Sequence, residues 1–264
     1  MTLLRLDHLS DGIKMTVPLN IILPDPAELK KTALQERTVL YLLHGLSDDA
    51  SAWQRFSSIE IYARKYGLVV VMPSVGRSFY TDQANGQRYF SYIVEELPEY
   101  MQVVFAIQPR REKTLIAGLS MGGYGAFKAA FLHSEKYFAA GSFSGPLMLN
   151  MLSLIPIEDP IRNEVTHLFG DLNNIPGSVH DPLAWLEKTK DSVETLPRLY
   201  QACGTEDDLY PANVLFRDAC KKHGIPVNYG EGKGKHEWYY WDEQIKEFLA
   251  VMLDSQDVSE ENNE

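Results

Sequence analysis

Apolar positions along the chain follow two rhythms in alternation. Short runs rich in Val, Ile, Leu and Tyr, bounded by turn residues, predict eight strands near Leu3–His8, Lys14–Leu23, Thr38–Leu43, Leu68–Met72, Lys113–Ala117, Phe138–Phe143, Arg198–Ala202 and Pro226–Tyr229. From the third onward, most are separated by segments with apolar residues at helical spacing, namely Ser57–Tyr66, Tyr89–Phe105, Gly122–His133, Ala212–His223 and Glu237–Leu253. Strand and helix in alternation require crossover connections. They imply an α/β fold with a mostly parallel sheet flanked by helices. The unbroken run Leu68-Val69-Val70-Val71-Met72 fits a strand covered on both faces.

The rhythm is lost between Pro146 and Leu196, where Pro156, Pro160, Pro176 and Pro182 interrupt the pattern. An excursion of that length inside a compact domain is expected to be a functional cover or a substrate-shaping insertion. No internal repeat and no linker-like composition divides the chain. Residues 1–253 therefore read as one domain, with 146–196 as its cover. Residues 254–264 carry five acids and no base and read as a disordered acidic tail.

Charge narrows the partners. The 264 residues hold 25 Lys and Arg against 36 Asp and Glu, a formal net charge of -11. Such a surface disfavours nucleic acid, whose binding draws its affinity from cations on phosphates. No apolar run reaches membrane-spanning length, and the amino terminus shows no secretory h-region. Cys203 and Cys220 are too few for a disulfide framework and read as buried thiols of a reducing compartment, so a cytoplasmic protein is expected. A homo-oligomer is left open.

Gly118-Leu119-Ser120-Met121-Gly122 matches G-x-S-x-G, the pattern of a nucleophilic serine on a sharp strand-to-helix turn. By composition alone such a match is expected roughly 0.08 times in this chain, so context must support it. A strand-like run, Thr114 to Ala117, precedes it and an apolar helical run, Tyr124 to Leu132, follows. A serine hydroxyl needs a base. Of seven histidines, His236 stands out because it follows the last strand in a glycine-rich loop just before the last helix. A carboxylate must orient that base. Glu206, Asp207 and Asp208 leave the carboxyl end of the seventh strand, where open sheets place their sites. Ser, acid, His is the chain order of the α/β-hydrolases. In that fold the oxyanion is held by the N–H after the nucleophile and by one from the loop after the third strand. The donors are then Met121 and, in Leu42-Leu43-His44-Gly45-Leu46, Leu46, with His44 bracing the loop.

Rival motifs fail. Gly230-Glu231-Gly232-Lys233-Gly234-Lys235 has lysine where G-x-G-x-x-G needs its last glycine. His236-Glu237-Trp238-Tyr239-Tyr240 lacks the second histidine of H-E-x-x-H, so neither metal nor cofactor is expected.

Leu42-Leu43-His44-Gly45-Leu46, Ile116 to Gly125, Ser142-Phe143-Ser144-Gly145, Cys203-Gly204-Thr205-Glu206-Asp207 and His236 to Trp241 together resemble the bacterial tributyrin esterase branch of the esterase D family. The likeness runs from about Val17 to Leu253. It implies a cofactor-free α/β-hydrolase acting on short-chain acyl esters. The family pattern of glycine, two variable residues and aspartate falls on Gly204 to Asp207, which implies Asp207 as the orienting acid. The sister branch, the S-formylglutathione hydrolases, typically has a cysteine past the oxyanion loop and Ser-Tyr-Tyr after the histidine. Ser47-Asp48-Asp49 and Glu237-Trp238 depart from that pattern. A serine carboxylesterase is therefore expected, acting through Ser120, His236 and Asp207 on a small-molecule ester. Trp53, Phe143 and Trp238 are expected near its substrate pocket, and short acyl chains are expected to be preferred. A thioesterase, an acyltransferase and a non-catalytic binding module are the competing readings.

Overall fold

Successive residues of the central strands face opposite layers, and this alternation builds two cores on one sheet. The computed structural model describes residues 1–83, 86–154 and 160–254. Its strands are β1 (Thr2–Ser10), β2 (Met15–Leu23), β3 (Val39–Leu43), β4 (Val69–Pro73), β5 (Thr114–Leu119), β6 (Ala139–Phe143), β7 (Arg198–Gly204) and β8 (Val227–Gly232). They form one sheet in the order β1-β2-β4-β3-β5-β6-β7-β8. β1 and β2 pair antiparallel, as do β2 and β4, and every later pairing is parallel. The eight-stranded, mostly parallel α/β sheet expected from the pattern is the sheet observed.

The helices are α1 (Pro26–Leu29), α2 (Ala52–Phe56), α3 (Ile59–Tyr66), α4 (Tyr89–Ser91), α5 (Leu97–Phe105), α6 (Met121–Leu132), α7 (Pro160–Phe169), α8 (Pro182–Thr189), α9 (Tyr210–Lys222) and α10 (Trp238–Leu249). A π-helical segment, Tyr92–Glu96, joins α4 to α5, so the run expected over Tyr89–Phe105 is continuous but locally widened. A second π-helical segment, Ala250–Asp254, extends α10.

Val39, Tyr41 and Leu43 of β3, Val69 and Val71 of β4 and Ile116 of β5 face one core with Tyr124 and Phe127 of α6 and Phe216 of α9. Leu40, Leu42, Val70, Met72, Leu115 and Ala117 face the other, against Ile59 and Ala63 of α3 and Ile245, Phe248 and Leu249 of α10. Helices on both faces explain why these strands are apolar at every position. Each fully buried side chain of this size, such as Phe127 or Phe248, contributes about 1.5–3 kcal/mol of burial.

The stretch where the strand-helix rhythm is lost, 146–196, holds α7 and α8. Trp185 of α8 lies 5.4 Å from Tyr124 and stacks on Phe131 at 5.9 Å, both on α6. α8 thus flanks α6. The carboxyl end of α7 meets the loop after β4 where Phe169 packs edge-on against Phe79 at 5.7 Å.

Candidate active site

Two glycines make the turn between β5 and α6 sharp. A Cβ on Gly118 would sit 2.5 Å from the Gly122 carbonyl carbon and 2.8 Å from Leu43 Cβ, and one on Gly122 would sit 2.5 Å from the Leu43 oxygen. Between them, Ser120 takes φ 50° and ψ -121°, a conformation that side chains seldom adopt. Its N–H donates to the Phe143 carbonyl (2.8 Å), and its own carbonyl accepts from Gly123 (2.9 Å), which opens α6. The hydroxyl is left at the positive end of that helix.

The loop after β8 brings the imidazole of His236 to the hydroxyl. Nε2 of His236 lies 2.9 Å from Ser120 Oγ, and Nδ1 lies 2.9 Å from Oδ2 of Asp207. An ionised carboxylate only accepts, so Nδ1 carries the proton and Nε2 offers its lone pair to the hydroxyl. Asp207 has no exposed side-chain surface, whereas His236 is 37% exposed. Burial alone would raise the acid's pKa. Hydrogen bonds from His236 and from the Leu209 N–H outweigh that cost and hold it below the ordinary aspartate value. The Leu209 N–H meets Oδ1 at 2.8 Å. Glu206 and Asp208, the other acids considered from the sequence, both point to solvent.

Met121 follows Ser120 directly, and Leu46 follows Gly45 in the loop after β3. A Cβ on Gly45 would lie 2.7 Å from Leu119 Cδ1 and 3.7 Å from Ser120 Cβ, so glycine lets the loop after β3 pass beside Ser120. Among the described residues, neither the Leu46 nor the Met121 N–H has a hydrogen-bond partner. His44 anchors the loop from below. Its Nε2 accepts the Val75 N–H (3.0 Å), so the proton sits on Nδ1 and donates to the Gly45 carbonyl (2.7 Å). Tyr80 adds a hydroxyl to the His44 carbonyl (3.0 Å), and burial lowers the His44 pKa, favouring the neutral ring.

The three aromatics expected at the pocket separate. Trp53 is 1% exposed, its indole N–H bonded to the Leu43 carbonyl at 2.9 Å, and Phe143 is fully buried. Both are drawn into the core beneath the loop after β3, where they pack edge to face at 6.2 Å, and offer no wall to a substrate. Only Trp238 keeps exposure. It lines a cleft of about 610 Å³ with Arg55, Phe56 and Tyr239. A separate cavity of about 450 Å³ lies beside Thr114 and Tyr137, at the amino ends of β5 and β6, the far end of the sheet from Ser120. Among the described residues there is no cluster of metal-ligating side chains and no helix long and apolar enough to cross a membrane.

Two contacts around the acid escaped the sequence reading. Trp241 sets its ring edge-on to His236, with centroids 4.9 Å apart, and its indole N–H donates to Ser144 Oγ at 3.1 Å. Both residues stand in the segments that carry the family resemblance.

A family model described as "Putative esterase" matches residues 10–252. The chain is 32% identical to an acetyl esterase of Caldicellulosiruptor saccharolyticus over 96% of its own length and 98% of the relative's. Among solved structures it superposes on the fluorophosphonate-binding serine hydrolase F of Staphylococcus aureus with a TM-score of 0.86 and 32% identity, covering 95% of this chain and 98% of that one. For the S-formylglutathione hydrolase FrmB of the same organism the TM-score is 0.84 and the identity 33%, with the same coverage.

Proposed function

The chain belongs to the esterase family whose model spans residues 10–252, and from that premise we propose that it hydrolyses short-chain carboxylic esters through a serine acyl-enzyme. That it is a carboxylester hydrolase follows from the family and from the acetyl esterase and serine hydrolase relatives. We infer the acyl-enzyme route from the geometry of the site. The observation that carries it is the single imidazole of His236 standing 2.9 Å from both Ser120 Oγ and Asp207 Oδ2.

In this reading Ser120 Oγ attacks the ester carbonyl while His236 Nε2 takes its proton. The carbonyl oxygen becomes an oxyanion facing the N–H groups of Leu46 and Met121, which need no reorganisation because no other partner holds them. Collapse expels the alkoxide, which receives the proton back from His236 and leaves as the alcohol. Water then repeats the sequence on the acyl-serine, releasing the acid and restoring Ser120. Asp207 keeps the Nδ1 proton in place and balances the imidazolium formed twice per cycle. No step calls for a metal or cofactor.

The test uses p-nitrophenyl esters of increasing chain length with wild type and Ser120→Ala. Expected are turnover favouring acetyl and butyryl over palmitoyl, and a loss of roughly a million-fold in the variant. Ser120→Ala turnover within tenfold of wild type would sink the assignment.

A thioesterase reading is favoured by the 33% identity to FrmB, an S-formylglutathione hydrolase. Against it stand Ser47-Asp48-Asp49 and Glu237-Trp238. The kcat/KM for S-formylglutathione is expected to fall below that for acetyl esters, and the reverse order would favour the thioesterase.

A further inference from the structure

The cavity of about 450 Å³ at the end of the sheet opposite Ser120 takes no part in acyl transfer, yet it is built from specific polar groups. Val94 of the π-helical segment and Pro98 of α5 line it, as do Tyr41 of β3, Thr114 of β5 and Tyr137 ahead of β6. Proline shapes the helical wall. Pro98 has no N–H to offer the Val94 carbonyl four residues before it, and its ring crowds that carbonyl, so the helix widens there. The Lys136 amine donates to the Val94 carbonyl instead, at 2.7 Å.

Two hydroxyls are left over. Tyr41 is 4% exposed and Tyr137 2%, and among the described residues neither phenol has a hydrogen-bond partner. The tyrosine hydroxyls that are both sealed from solvent and without a partner are those of Tyr229 and Tyr240, so the hydroxyls of Tyr41 and Tyr137 open onto the cavity their side chains line. Burial pushes both phenols above the ordinary tyrosine value, so at neutral pH both can donate. A donor held that deep without an acceptor is a cost that a bound oxygen removes. Two cations line the same cavity. Lys136 is held by the Val94 carbonyl and Arg111 by the carbonyls of Ser134, Thr195 and Leu196, and among the described residues neither is paired with a carboxylate. Glu95, Glu99 and Glu135 complete the lining and are exposed, so the acids stand toward water and the phenols toward the core.

Buried donors with two uncompensated cations suit one negative charge, and the outer acids disfavour a second. We propose that the cavity binds a small organic monocarboxylate, its oxygens accepting from the Tyr41 and Tyr137 hydroxyls and its apolar body covering Val94, Pro98 and Pro109. The volume is ordinary for a small-molecule site. This inference goes beyond acyl transfer and holds whether or not that reading does.

The experiment titrates sodium benzoate calorimetrically, at neutral pH, into wild type, Tyr41→Phe, Tyr137→Phe and Lys136→Gln. Acetate, inorganic phosphate and benzyl alcohol are the comparison ligands. Benzoate should bind wild type with a Kd on the order of 1 mM, ordinary for a ligand of its size. Removing either phenol hydroxyl should weaken it at least roughly tenfold, the loss of one hydrogen bond to a charged group. Lys136→Gln removes the charge while keeping a donor for the Val94 carbonyl, and should weaken benzoate as well. Acetate lacks the apolar body, benzyl alcohol lacks the charge and phosphate carries too much of it, so each should bind more weakly than benzoate. Without ligand, the thermal midpoints of Tyr41→Phe and Tyr137→Phe should match wild type, because those hydroxyls have no bond to lose. Their turnover of p-nitrophenyl acetate should match it too.

An absence of benzoate binding up to roughly 20 mM overturns the proposal. So does a Kd within about twofold of wild type in both tyrosine variants, which would place the ligand elsewhere on the protein, Ser120 included. Phosphate or benzyl alcohol binding as tightly as benzoate overturns the monocarboxylate assignment.

Discussion

Three consecutive acids leave β7, and direction is what separates them. The chain turns so that the Asp207 N–H returns to the Gly204 carbonyl (3.1 Å), which carries the Asp207 side chain inward to His236 and leaves Glu206 and Asp208 in water. The Glu206 carboxylate lies 3.9 Å from the exposed Lys233 amine. Asp207→Asn is therefore expected to lower kcat by roughly ten-thousand-fold, the cost of losing the tautomer lock. Asp208→Asn should leave it within about twofold, as befits a solvated charge. Parallel kcat measurements on the two variants decide the matter, and a large loss confined to Asp208→Asn would shift the acid by one residue. At this scale the sequence is uneven. Ser120 is announced by its glycines, because the crowding that demands them is local. His236 is announced by its place after the last strand. Asp207 is singled out by a family pattern, since composition says nothing about which of three neighbours faces inward. Ser144 and Trp241 lie 97 positions apart and carry no periodicity that would pair them.

Elements were legible where their periodicity is strong. All eight strands were located, because each alternates or runs apolar against a covered face, and their ends shifted by a few residues where the ladder continues past the apolar run. The helices of 146–196 were not, and the reason is proline. Its interruptions suggested broken structure, yet Pro160 and Pro182 each begin a helix, where the missing N–H costs nothing and the fixed φ favours the first turn. Asp181 completes the start of α8 by accepting the Leu183 N–H at 3.0 Å, and it also takes the Gly177 N–H at 2.9 Å. Asp181→Ala should cost about 1–2 kcal/mol, which at this chain length lowers Tm by roughly 2–6 °C. The kcat measured well below the transition should not change, because α8 packs on α6 and α9 and carries none of Ser120, Asp207 and His236. A fall in kcat at unchanged Tm would contradict that supporting role.

At the scale of the molecule, alternation foretells a doubly covered parallel sheet. It does not foretell which strands neighbour one another, since β4 lies between β2 and β3 only once the crossovers have packed. Nor does it foretell what fastens 146–196 to the body. Lys128 is a charged residue in the middle of α6 and would be read as a solvated position. It is 2% exposed and reaches Thr81 Oγ1, the Tyr80 carbonyl (3.4 Å) and His180 Nδ1 (3.4 Å), with the Phe90 ring at 4.6 Å. Among the described residues no carboxylate pairs with it, and Asp82 acts only from a distance. His180 is tied to Thr81 Oγ1 at 3.0 Å, and its carbonyl accepts from Tyr124 at 3.1 Å. Burial pushes Lys128 down to about 7, and burial followed by the Lys128 charge pushes His180 down to about 4. Both shifts mean that the unfolded chain binds a proton before the folded one does, so stability rises with pH across each window. For Lys128 the window runs from about 7 up to its ordinary value of 10.5, and below it both states are protonated. For His180 it runs from about 4 to 6.5, with its stabilising contribution complete above that range. Thermal midpoints should therefore climb from roughly pH 4 to 6.5 and again from 7 to about 9.5, short of the range where buried tyrosines enter. His180→Asn should flatten the lower climb and Lys128→Met the upper one. Upper slopes that are identical in wild type and Lys128→Met would mean that the amine is solvated in the folded protein and that the joint between α6 and the 146–196 segment is not built on it.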